Sequence, residues 1–182
     1  MNRPLCFIDT ETTGLDPAIA EVIEVAITRR EPDGQESHYY TLVAPERIED
    51  ASPKALELNG YNNDPSRWEN APSLKEVGPT ILAFLEGGIL VGHNVSFDER
   101  MLAENLKRAE VAGRIPYHKI DTVTLVYEHL FAQGLEWASL DAVRRFLGWS
   151  TTGAHTAQQD VADTVRLFDL LWRSGTPSIS KG

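Results

Sequence analysis

Asp9 and Glu11 stand two residues apart in the run FIDTETTGL, whose first half has the apolar character of a buried strand. Side chains at i and i+2 of a strand point to one face, which sets the two carboxylates side by side and turns Thr10 away. Two adjacent negative charges repel each other and are costly to desolvate unless something positive joins them. Either the strand end frays into water or a divalent metal sits there, and the pair alone does not decide. Two more acids extend the pattern. Asp98 and Asp160 each fall in the first turn of a helix, where interaction with the helix dipole is the ordinary reason for an acid. Asp160 also begins the row Asp160, Thr164, Phe168, which leads onto an apolar helix side and aims the carboxylate inward. Oxygen-only ligands suit Mg²⁺ or Mn²⁺, whereas zinc is disfavoured because no Cys/His spacing is present. His155, in the glycine-containing loop STTGAHTA, precedes Asp160 by five positions and can take a proton near neutral pH. His38, His118 and His129 read as surface residues of strands and helices.

The surrounding elements must bring these residues together. PLCFIDTE, EVIEVAITRR and SHYYTLVAP read as three strands, the last two joined at Asp33-Gly34, a hairpin signal. A polar, proline-rich stretch follows, with a short helix near residues 54–58. Ser73 and Glu76 fit a capping box that opens a helix, with a kink expected at Pro79. GGILVGHN is a short buried strand, and Ser96 with Glu99 fits a second capping box, opening a helix to about Arg108. YHKIDTV is the fifth strand. Helices follow over residues 125–133, from Ser139 to Gly148, and over residues 157–172, the last capped by Thr156 and Gln159. Three antiparallel strands followed by strand–helix alternation predict an α/β fold, a mixed five-stranded sheet flanked by helices with ligands collecting at strand ends.

The chain has 182 residues, a length that suits one domain, here residues 1–173, with a disordered tail at 174–182. Cys6 is the only cysteine and reads as a small buried hydrophobe. No apolar run approaches the length of a membrane span and the first residues do not resemble a secretory signal, so a cytoplasmic location without membrane contact is expected. A formal net charge of −10 argues against tight non-specific binding to long nucleic acid, which depends on Lys and Arg contacts to phosphate. It leaves room for a site that recruits cations and then phosphates. A protein partner or a homodimer is not readable from these residues.

Three segments, FIDTETTGLDP, GHNVSFDERML and HTAQQDVADTVRLF, resemble in order and spacing the three motifs of the DEDDh (DnaQ-like) 3′→5′ exonucleases. The resemblance extends from about Leu5 to Trp172, and Thr156 replaces the tyrosine of the sister DEDDy class. It implies an RNase H-like fold, two divalent ions (Mg²⁺ or Mn²⁺) and action on single-stranded 3′ ends of DNA or RNA. By position, Asp9, Glu11, Asp98 and Asp160 become metal ligands, with Asp9 bridging both ions, and His155 the general base. Thr12, Thr13, Gly14 and Leu15 align with the loop around the terminal nucleotide, and His93, Asn94 and Phe97 match the second motif; for Phe97 a core contact behind Asp98 competes. Thr156 where many members carry Arg, and Leu58-Asn59-Gly60 where many carry a His-Gly pair, depart from the pattern. No C-terminal extension like those that tether proofreading subunits to a polymerase is seen. The competing expectations are a non-catalytic nuclease-fold domain that binds nucleotides or a protein, and a hydrolase of small nucleotide esters.

Overall fold

The computed structural model describes residues 2–172, and the tail expected to be disordered lies outside them. Strands β1 (Leu5–Thr12), β2 (Val22–Arg30), β3 (Glu36–Leu42), β4 (Ile89–Gly92) and β5 (Lys119–Asp121) form one sheet in the order β3-β2-β1-β4-β5. The first three are antiparallel, while β4 and β5 run parallel to β1. The sheet is therefore mixed, as the sequence predicts. Six helices flank it: α1 (Pro53–Leu58), α2 (Leu74–Leu85), α3 (Val95–Arg108), α4 (Thr122–His129), α5 (Leu140–Phe146) and α6 (Ala157–Leu171).

The central strand β1 is apolar on both faces because a helical layer covers each. Leu5 and Phe7 pack into a core with α4, α5 and α6, where Phe7 meets Phe168 edge-on at 5.3 Å. Cys6 and Ile8 pack the other way, against α2 and α3. Burial pushes the Cys6 thiol up to about 11, which fits the inert buried role. This alternation decides the site: odd residues of β1 look toward α6, even residues toward α3.

Local signals explain most element boundaries. Gly34, at φ +93°, closes the β2–β3 turn. Ser73 and Glu76 form the capping box that opens α2, a device worth about 1 kcal/mol. The helix continues past Pro79, and the preceding Gly78 lets α2 approach α3, since a Cβ there would lie 2.9 Å from side chains of Leu106 and Val111. Thr156 caps α6 by accepting from Gln159 N, but the Gln159 side chain donates to Asp163 instead of returning to the cap.

Two further expectations fail. Ser96 does not cap α3: the helix begins at Val95 after Asn94, whose left-handed φ of +70° turns the chain and whose N–H donates to Asp121 Oδ1. The backbone turn therefore fixes the helix start two residues early and places Ser96 inside it. The fourth helix also begins earlier than expected, because the Asp121 side chain caps it at Val123 N and shortens β5. Among the described residues, no helix is long and apolar enough to cross a membrane.

Candidate active site

The site forms where β1 outruns its parallel neighbour. Pairing with β4 ends at Phe7–Val91, so Asp9, Glu11 and Thr12 project beyond β4 at the C-terminal end of the parallel strands, where open α/β sheets bind ligands. Gly92 permits the sharp exit there: a Cβ on it would sit 2.9 Å from the Val95 Cβ and 3.2 Å from the Ile8 carbonyl oxygen.

Asp9 and Glu11 lie on the face turned to α6, and α6 supplies Asp160. One carboxylate oxygen from each of the three falls within 4.8 Å of the others. Asp98 arrives from the opposite layer. Its Oδ1 accepts from Thr10 N at 2.9 Å and from Thr10 Oγ1 at 2.8 Å, so it is held by the even-numbered residue between the two acids. Thr10, expected to turn away, is thus part of the site. The structure brings three of the four acids around one point and holds the fourth, Asp98, against Thr10 on the other face of the strand.

These charges strain one another. Burial, then repulsion from Asp98, Asp160 and Glu11, holds Asp9 well above the usual carboxylate range. Burial, then Asp160, pushes Glu11 up to about 9. Burial raises Asp98 to about 7, against the opposing Thr10 hydrogen bonds. Asp160 is also raised by burial, opposed by Arg144. Behind them Glu24, paired with Glu11 across β1 and β2, is fully buried. Its Oε1 accepts from Ala157 N at 3.0 Å, while Oε2 has no hydrogen-bond partner among the described residues. Acceptor-only oxygens gathered with more negative charge than the single neighbouring Arg144 offsets form the donor set that a hard divalent ion takes, and the residues present fit such an ion.

His155 enters from the loop before α6. Its φ is +64°, its backbone N–H donates to Asp160 Oδ1 at 3.2 Å, and its side chain is 41 % exposed. The imidazole Nε2 stands 3.3 Å from Asp141 Oδ2. Arg144, to which none of the acid spacings points, is buried. It donates to Asp160, Asp163 and Asp141 at 2.7, 2.8 and 3.0 Å. Asp141 and Arg144 lie three apart on α5, a spacing that puts both on one helix face and is the one signal that could have found them. Glu24 carries a comparable signal, an acid inside the apolar run VIEVAI.

The residues aligned with substrate contacts divide. Thr12 donates its hydroxyl to the Gly14 carbonyl, and the Thr13 hydroxyl accepts from Glu21 N, so both shape the loop from within. Asn59, at the departure from the His-Gly pattern, is buried and donates to the Thr12 carbonyl. Leu15 at the loop tip is 83 % exposed, and Asn94 is exposed. Phe97 packs against the α2–α3 core, in line with the core-contact alternative. His93 is a strut rather than a free ring. Nε2 donates to the Ala138 carbonyl at 2.6 Å and Nδ1 lies 2.9 Å from Thr122 Oγ1, so both ring nitrogens are engaged by the protein, and burial lowers its pKa.

A family profile described as Exonuclease matches residues 6–168. Among curated relatives, the chain is 36 % identical over 169 residues to the PolC-type DNA polymerase III of Thermotoga petrophila, covering 92 % of this chain and 12 % of that one. The chain therefore spans about an eighth of that relative's length. It is 30 % identical over 166 residues to the DNA polymerase III epsilon subunit of Aquifex aeolicus, covering 88 % of this chain and 76 % of that subunit. Among solved structures, Escherichia coli exonuclease I in complex with a dT13 oligonucleotide superimposes with a TM-score of 0.77 at 18 % identity, over 94 % of this chain and 41 % of that one. That likeness establishes the shared fold.

Proposed function

Because this chain belongs to the exonuclease family, we propose that it is a divalent-metal-dependent 3′→5′ exonuclease releasing nucleoside 5′-monophosphates from single-stranded or frayed ends. The observation that carries the reading is the meeting of Asp9, Glu11 and Asp160 oxygens within 4.8 Å, in a cluster where Arg144 pairs with Asp160 and, among the described residues, no cation pairs with Asp9 or Glu11. Asp9, Glu11, Asp98 and Asp160 would hold two Mg²⁺ or Mn²⁺ ions. When bound, such ions activate water and stabilise charge on the scissile phosphate and the leaving 3′ oxygen.

The chain's own residues supply the rest. Burial raises the carboxylate pKa values, so that cation binding and full ionisation occur together. Thr10 fixes one oxygen of Asp98, and Arg144 fixes Oδ1 of Asp160, leaving Oδ2 as the oxygen those bonds do not occupy. His155 takes the proton of the attacking water. Leu15, exposed at the tip of a loop braced by Thr12, Thr13 and Asn59, offers an apolar surface to the terminal base. The domain would comprise residues 1–173. The oligonucleotide bound by E. coli exonuclease I supports a single-stranded substrate.

End-labelled DNA and RNA oligomers of matched sequence, digested with Mg²⁺, Mn²⁺ or chelator, test the proposal. A ladder that shortens from the 3′ end, requires metal and falls by about 10²–10⁴-fold in kcat with His155→Ala is expected, the usual worth of a positioned acid–base group. Metal affinity measured by calorimetry should be unchanged in that variant. Absence of metal-stimulated cleavage would leave a non-catalytic binding domain, and faster turnover of a mononucleotide ester than of a pentanucleotide would indicate a small-ester hydrolase.

A further inference from the structure

Helix α5 connects the proposed base to a proposed metal ligand. Asp141 divides its carboxylate between two partners: Oδ1 accepts from Arg144 Nη1 at 3.0 Å, and Oδ2 lies 3.3 Å from His155 Nε2. Arg144 uses three different nitrogens on three acids, with Nε on Asp163 and Nη2 on Asp160. A planar guanidinium held at three corners cannot turn. Asp160 Oδ1 closes the circuit by accepting the His155 backbone N–H at 3.2 Å. One buried arginine thus fixes the acid beside the imidazole and the acid in the carboxylate cluster together.

We propose that Asp141 is the positioning residue for His155, fixing the imidazole with its proton on Nε2 and leaving Nδ1 as the proton-accepting nitrogen. The proposal rests on the reading of His155 as general base. An ionised carboxylate only accepts, so a neutral imidazole facing it must donate from the facing nitrogen, and the partner of one ring nitrogen sets the state of the other. The His155 side chain is partly exposed and its loop has a left-handed residue, so without this contact the ring would be free to choose rotamer and tautomer. A separation of 3.3 Å is long for a charge-assisted bond, and such contacts tighten when substrate closes the site.

Asp141→Ala and Asp141→Asn test this with three readouts: kcat and KM on an oligonucleotide, Mn²⁺ affinity by calorimetry, and ¹⁵N histidine spectra of the metal-free protein in alkaline buffer. Asp141→Ala should lower kcat by about 10–100-fold, the usual effect of removing a group that orients a catalytic side chain, with KM and Mn²⁺ affinity changed by less than about twofold. Asp141→Asn should do at least as much harm, because an amide NH₂ facing Nε2 demands the opposite tautomer. The wild-type spectrum should show Nε2 protonated and Nδ1 bare, and the Asn variant the reverse. A kcat within about twofold of wild type in both variants, or a loss of kcat with the same tautomer in all three proteins, overturns the proposal while the exonuclease reading stands. Wild-type protein without metal-stimulated cleavage removes the exonuclease reading, and the spectra still decide whether Asp141 sets the ring.

Discussion

Two groups of acids meet at Asp160 and behave in opposite ways. On the β1 side, Asp9 and Glu11 face Asp160 with Asp98 behind them, and among the described residues none of Asp9, Glu11 and Asp98 forms an ion pair. On the α5 side, Asp141, Asp160 and Asp163 surround the guanidinium of Arg144. The residue types are the same and the burial is similar, but one group has its countercharge built into the chain. The permanently compensated group can serve as a fixed frame. The uncompensated group is raised in pKa and suited to an ion that comes and goes. Asp160 belongs to both, which ties one carboxylate of the open group to the rigid geometry of the closed one.

Removing a charge from the open group should give the largest effect. Asp9→Asn is expected to lower turnover by at least about 10²-fold while raising the melting temperature of the metal-free protein, because one of the repelling carboxylates is gone. Kinetics together with calorimetry in chelator check both halves. A lower metal-free melting temperature would contradict the description of the group as unpaired.

The opposite operation, removing the countercharge of the closed group, should cost stability. Arg144→Met leaves three carboxylates around an apolar side chain, and stranding buried charges costs about 3–5 kcal/mol. For a domain of this size that corresponds to about 6–20 °C, at about 2–4 °C per kcal/mol. Thermal unfolding checks it, and a shift below about 3 °C would show that water already screens the cluster.

The smallest effect is a pH dependence led by the open group. Glu11 titrates at about 9 in the folded chain against 4.5 as its ordinary value, and Asp98 at about 7 against 3.8. Between those limits the folded state holds more protons than the unfolded state, so stability falls as pH rises. The metal-free melting temperature should therefore drop by several degrees from about pH 5.5 to about pH 8.5. Added Mg²⁺ or Mn²⁺ should raise it more at the alkaline end, where protons compete least. A metal-free melting temperature that rises over this range would reverse the comparison.

The sequence was most informative where chemistry follows local periodicity. The i, i+2 spacing put Asp9 and Glu11 on one face, and the row Asp160, Thr164, Phe168 aimed the acid inward, as its burial shows. What stayed hidden depends on which layer covers which face. Thr10 holds Asp98 because even residues of β1 face α3, a fact that emerges only when the helices are placed. Glu24 lies opposite Glu11 through strand register, ahead of an irregularity between Glu11 and Thr12. Arg144 and the Asp163 and Asp160 it binds are separated by 19 and 16 positions and lie on different helices. Ser96 had the right neighbours for a cap, but the Asn94 turn, anchored to Asp121, started the helix first. His93 matched a motif by position, yet Thr122 and Ala138 engage both its nitrogens.

The order of the elements carries a consequence in time. Asp9 and Glu11 leave the ribosome within the first strand, Asp98 follows with α3, and α6 brings Asp160 only after every other described strand and helix has been made. Chains are synthesised from the N-terminus and structure forms as it emerges. A nascent chain stopped anywhere before residue 157 therefore carries at most three of the four acids, and it lacks both Asp160 and the Ala157 N–H that engages Glu24. Docking of the last helix against Phe7 therefore brings the fourth acid to the cluster and the Ala157 N–H to Glu24 in one step, and the cluster is complete only when α6 is in place.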